Sequence, residues 1–138
     1  MTIDARGRCS VPQRVHDGLG WFSLGAELML DLRPGGRINV LASTSATSVL
    51  RRLESLASAT ADEDSEDELL LLVDRFVRVV VDADSSRLKL PGHVRAHLDT
   101  LNGGVVLAVR VRDRMELWSK AYRESRLADA ERTFEELP

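Results

Sequence analysis

Hydrophobic spacing changes along this chain, and the changes mark its elements. Glu27-Leu28-Met29-Leu30-Asp31-Leu32 and Arg37-Ile38-Asn39-Val40-Leu41 carry short apolar runs at strand spacing. Pro34-Gly35-Gly36 between them predicts a turn, so the two strands are expected to form a hairpin. Beyond residue 42 the period lengthens. Val49, Leu50, Leu53, Leu56 and Ala57 share one face of a helix capped by Ser43 or Thr44, while Arg51, Arg52 and Glu54 fall on its solvated side. Phe76 to Asp82 reads as a strand rich in β-branched residues. Leu69 to Val73 is either a helical end or a buried segment. Val105 to Val109 and Met115 to Trp118 are expected to pair across Arg110 to Arg114. Ser119 then caps a helix whose Leu127, Ala130, Phe134 and Leu137 recur at helical spacing, a face expected to pack on the core or on another subunit.

The same order of signals occurs twice. Asp4-Ala5-Arg6-Gly7-Arg8-Cys9-Ser10-Val11-Pro12 predicts a tight turn, a short strand and a helix start. Asp4 can accept from backbone N–H groups two residues on, Gly7 supplies positive φ, and Pro12 suits a first helical turn. Gln13 to Asp17 is the predicted helix, stopped by Gly18 and Gly20. Arg87-Leu88-Lys89-Leu90-Pro91-Gly92-His93-Val94-Arg95-Ala96-His97-Leu98 aligns with Arg8 to Leu19 at one constant offset, matching at Arg, Pro, Val and Leu. Its helix is predicted from Pro91 to Leu101, with Asn102-Gly103-Gly104 as the stop. Arg37 to Ser43 aligns with Arg114 to Ser119 and the start of the next helix. The expected fold is therefore α+β, a tandem duplication in which turn, strand, short helix, two strands and longer helix occur twice. Its units are a first half over 1–58, an acidic linker over 59–74 and a second half over 75–138.

These motifs resemble the MraZ family, within the wider AbrB/SpoVT-like swapped-hairpin group. The residues that carry the likeness are the Asp-x-x-Gly-Arg turn from Asp4 to Arg8, the Val11-Pro12 step, Arg87 to Pro91 with Arg95 four residues past the proline, and Met115-Glu116-Leu117-Trp118-Ser119. The resemblance implies a pseudo-two-fold pair of swapped-hairpin β units. It also implies a bacterial transcriptional regulator of the division and cell-wall gene cluster, assembled into a ring that binds repeated DNA boxes at a promoter. The chain departs from the family pattern in three places. Only three residues precede Asp4, where the family has a strand; Ala83, bracketed by Asp82 and Asp84, stands where the second turn should carry its aspartate; and His16 replaces an arginine. The second turn also lacks the glycine.

The DNA-contacting candidates are Arg6, Arg8, Arg14, Arg87, Lys89 and Arg95, with Asp4 and Gly7 as turn-shaping residues. Guanidinium groups offer paired donors that fit phosphate or a guanine edge. Two or three such contacts per subunit bind weakly, so useful affinity requires several subunits on spaced sites. Binding and homo-oligomerisation are thus expected together. The net charge of −3 rules out a generally basic coat, but six acids within Asp62 to Glu68 account for it, and the rest of the chain is mildly basic.

Other chemistry is weakly signalled. His93 and His97 have a helical metal-ligand spacing without a third ligand, and Cys9, His16 and Asp17 include thiol-nucleophile residue types without an oxyanion site. No metal, cofactor, small-molecule substrate or catalysis is expected. The single cysteine excludes an internal disulfide. With no apolar run of membrane-spanning length, the expected location is cytoplasmic and nucleoid-associated, without membrane contact. Two alternatives share the fold: an assembly protein that does not bind DNA, and an antitoxin-like domain with a protein partner.

Overall fold

The structure is a computed structural model describing residues 1–60 and 62–138; Ala61, inside the expected linker, lies outside them. Among the described residues the chain is α+β, with five helices and two antiparallel sheets. Its elements run β1 (Thr2–Ile3), β2 (Arg8–Ser10), α1 (Gln13–His16), β3 (Glu27–Arg33), β4 (Arg37–Ala42) and α2 (Ser43–Ala59). After α3 (Glu63–Val73) come β5 (Phe76–Val80), β6 (Arg87–Lys89), α4 (Gly92–His97), β7 (Gly104–Val105), β8 (Leu107–Val111), β9 (Arg114–Trp118) and α5 (Lys120–Glu135).

The small sheet has the order β6-β2-β1-β7 and the larger one β5-β3-β4-β9-β8. The pairings are reciprocal. β1 pairs with β7, where Met1 and Val106 also exchange two backbone hydrogen bonds of 3.0 Å, while β5 pairs with β3 from Glu27↔Val80 to Asp31↔Phe76. Each half of the sequence thus pairs its first strand with a strand of the other half. β2–β6 and β4–β9 join the halves again.

Alternation decides which side of each strand is buried. Ile3, Cys9 and Leu88 point inward from the small sheet; Leu28, Leu30, Ile38, Val40, Met115 and Leu117 meet them from the larger one. Each large aliphatic side chain buried this way contributes about 1.5–3 kcal/mol, so this shared core dominates stability. On the larger sheet's other face, Asp31 is buried beside Arg75 (3.3 Å) and Glu116 beside Arg114 (3.4 Å), with Trp118 Nε1 donating to Glu116 at 3.1 Å.

Several elements depart from expectation. A strand does precede the first turn, although it is only two residues long. Beyond Ala61 the acidic stretch is no loop: Asp62 caps α3 by accepting from Asp64 N at 3.2 Å, and Glu63, Asp64 and Glu66 fill the first turn, where the helix dipole favours anions. α4 stops at His97, and Asp99 (φ 55) turns the chain well before the glycines. Val106 splits the expected Val105–Val109 strand into β7 and β8. Neither Ser43 nor Thr44 caps α2 through its side chain; Ser43 Oγ donates instead to Glu27 at 3.0 Å. Ser119 does cap α5, accepting from Tyr122 N at 3.1 Å.

The long helices bury little. In α2 only Ala46 and Ala57 are buried, and among the described residues α5 has none: Leu127 is 54% and Phe134 77% exposed. The expected stripe exists but does not pack on the core. A helix of 16 residues is marginal by itself in water, and among the described residues the apolar positions Leu127 and Phe134 of α5 stay uncovered.

Candidate nucleic-acid interface

The first turn is built by Asp4. Its Oδ1 accepts from Arg6 N and Arg8 N, both at 2.9 Å, and its Oδ2 accepts from Arg8 Nε at 2.9 Å. Backbone bonds Asp4 N to Arg8 O and Gly7 N to Asp4 O, both 3.0 Å, close the loop. Gly7 has φ +84 and is buried, because the turn leans on the second half: Leu90 N donates to Gly7 O at 2.8 Å. The Arg8 backbone N–H is the main cause that holds the Asp4 carboxyl below its ordinary 3.8. A depressed carboxyl stabilises above its unfolded value and loses that contribution as pH falls through the folded one. The turn should therefore stay ordered down to pH 3.8 and loosen only below it. A carboxyl NMR titration of Asp4 checks this; an apparent value at or above 3.8 would contradict it.

The second turn does the same work with different residues. Asp82 N donates to Arg87 O at 2.9 Å, and Asp82 Oδ1 accepts from Asp84 N at 2.8 Å. Asp82 therefore fills the place of Asp4, and the turn is one residue longer, which explains why a constant offset lands on Ala83. Among the described residues no side-chain bond ties Arg87 to Asp82.

Strand pairing brings the two motifs together. β2 and β6 run antiparallel with Arg8↔Lys89, Cys9↔Leu88 and Ser10↔Arg87 as partners, a local two-fold centred on Cys9 and Leu88. Both strands alternate exposed, buried, exposed, so Arg8, Ser10, Arg87 and Lys89 all face solvent on one side of the small sheet. Arg6 is exposed in the adjoining turn. A shallow groove on this side is lined by Thr2, Asp4, Arg8, Ser10 and Arg87. Among the described residues only Arg8 of these cations forms an ion pair. Arg8 and Lys89 are like charges directly opposite each other, an arrangement that costs stability and that an anion would relieve.

The remaining candidates fall elsewhere. Arg14 is exposed on α1. Arg95 Nη1 donates to Ala5 O and Leu101 O, both at 3.0 Å, so its guanidinium is engaged with the protein. His97 Nε2 lies 2.7 and 3.1 Å from the carbonyls of Arg33 and Arg37, whereas His93 is exposed. His16 stacks on Phe22 with ring centroids 4.7 Å apart. Sequence pattern alone does not mark the roles of Asp82, Arg95 and His97. The i, i+2 pair Asp82/Asp84 was the one available signal.

Cys9 is buried under the face, and burial pushes its thiol from 9.0 up to about 11. Its thiolate fraction at neutral pH is then about 100-fold below that of a thiol at 9.0. Iodoacetamide should label native Cys9 at least that much more slowly than urea-unfolded protein; equal rates would place the thiol at the surface.

No protein-family model matches the chain, and no curated protein matches it. The site stands on its own geometry. No helix among the described residues is long and apolar enough to cross a membrane.

Proposed function

We propose that the chain is a DNA-binding regulator built as a tandem of two swapped-hairpin units, resembling the MraZ group. The observation that carries this reading is the solvent-exposed sheet face bearing Arg8, Arg87 and Lys89, with Arg6 beside it, arranged about a local two-fold. The reciprocal pairing of β1 with β7 and of β5 with β3 supports the tandem arrangement. A two-stranded β surface can enter a major groove, where arginine reads guanine edges and backbone contacts fix the register. Arg14, exposed on α1, reaches flanking phosphate.

Five contacts per subunit, four from the sheet face and its turn and one from Arg14, are too few for tight binding at cellular salt. Several subunits therefore engage repeated sites, and the exposed apolar residues Leu127, Phe134 and Leu137 near the C-terminus supply a surface for assembly as a homo-oligomer. Bound at a promoter, such an assembly acts by excluding polymerase, which places the protein in the cytoplasm at the nucleoid. No cofactor, metal or catalytic step enters this mechanism.

The test is duplex-DNA retention as a function of salt. If Arg6, Arg8, Arg87 and Lys89 all neutralise phosphates, affinity per subunit falls about 100-fold between roughly 50 and 200 mM salt. An assembly protein without a nucleic-acid role shows no retention at either concentration.

A further inference from the structure

We propose that Arg95 is a positioning residue for the Arg6–Arg8 turn, and that it makes the two halves of the face unequal readers of DNA. This rests on the function proposed above. Arg95 lies on α4 in the second half, yet its Nη1 joins Ala5 O of the first turn to Leu101 O beyond α4, each at 3.0 Å. The carbonyl of Ala5 belongs to the peptide that leads into Arg6. Holding it fixes the backbone from which Arg6 projects, much as Asp4 fixes Arg8.

The guanidinium also fits closely beneath the turn. A Cβ placed on Gly7 would lie 2.9 Å from Arg95 Nε and 3.0 Å from its Cδ. Nε is buried there without a hydrogen-bond partner among the described residues. A buried, unpaired N–H is unfavourable, so the site accepts that cost to bring Nη1 onto both carbonyls. A group held in this way cannot also turn its Nη1 toward DNA.

Among the described residues the second turn has no such clamp. At the constant offset that relates the motifs, His16 takes the place of Arg95, and its ring stacks on Phe22. The turn it would hold is longer by one residue and contains Ala83, Asp84, Ser85 and Ser86, with no arginine equivalent to Arg6. Base readout needs donors held in fixed geometry, whereas phosphate contacts tolerate looseness. The clamped turn therefore specifies sequence. Arg87 and Lys89 anchor the backbone, and one chain reads a directional, non-palindromic site.

The experiment compares wild type, Arg95→Gln, Arg95→Lys and Arg8→Gln. The probes are a duplex selected by the wild-type chain from a random pool and an unselected duplex, each across a salt series. Amide hydrogen exchange of the free proteins is measured alongside. Arg95→Gln should cut the preference for the selected duplex about 10-fold, leave affinity for the unselected duplex and its salt slope unchanged, and speed exchange at Arg6 to Arg8 about 10-fold. Arg95→Lys, which keeps the charge but not the fork, should fall between. Arg8→Gln, which removes a base contact, should also cut the preference for the selected duplex. If Arg95→Gln lowers the slope by about one without altering exchange at the turn, Arg95 is itself a phosphate contact and the proposal fails. It fails also if preference is unchanged. If the wild type retains no duplex, the DNA reading fails and takes the specificity role with it; exchange at the turn then decides alone whether the clamp orders Arg6.

Discussion

Gly7→Ala is expected to lower the thermal midpoint by about 10 °C and to remove the proposed DNA retention together with it. Two penalties combine at this position. A left-handed backbone costs a residue with a Cβ about 1–2 kcal/mol, and Gly7 has φ +84. The added carbon would also lie 2.5 Å from the backbone oxygen of Leu90, an atom that cannot rotate away. Either the turn detaches from the second half, or β6 shifts and disturbs the contacts of Leu88 and Leu90 in the core. A total near 3 kcal/mol is expected, and for a chain of this size each kcal/mol moves the midpoint by about 3–4 °C. Gly20→Ala is the control, because no atom lies within 4 Å of a Cβ there and its φ is not positive. Circular dichroism melts of the two variants check the prediction. A Gly7→Ala midpoint within about 2 °C of wild type would mean that the turn is not docked as described.

The second large effect is on binding rather than stability. Arg6→Glu combined with Arg8→Glu should weaken retention on duplex DNA at least about 30-fold while leaving the fold intact, since two contacts of about 1–3 kcal/mol each are lost. The fold survives because both side chains are exposed, and an exposed ion pair such as Arg8–Asp4 adds little to stability. Asp4 keeps its bonds from the backbone N–H groups at residues 6 and 8, which do not depend on the side chains there. Reversing Arg51 and Arg52, exposed on α2, changes net charge equally and should leave binding nearly unchanged. Equal losses in both variants would indicate a general charge effect with no localised site.

Much of this architecture was legible in the residues. The Asp4–Arg8 turn, the hairpin turn at Pro34 to Gly36 and the cap at Ser119 are governed by local chemistry, and the structure forms each where its residues imply. Features that depend on partners distant in sequence were harder to see. Arg95 looks like any helical arginine until α4 is placed against Ala5, ninety positions away in the chain. The first strand is two residues long and carries no periodic signal of its own; it exists because Met1 to Ile3 can pair with Gly104 to Val106. Charge alone makes the acidic stretch an expected linker, although an Asp cap followed by acids in the first turn is also how helices begin. The exposed stripe of α5 shows the converse limit: periodicity names an apolar face without saying whether its partner lies in the same chain.

The central claim is that DNA meets the small sheet through Arg6, Arg8, Arg87 and Lys89. Backbone amide NMR shifts, followed during titration with a short duplex at low salt, locate the contact directly. The account predicts the largest changes from Asp4 to Ser10 and from Arg87 to Lys89, with little change along α5. Perturbations confined to α2, α3 or α5, or none at saturating DNA, would contradict it.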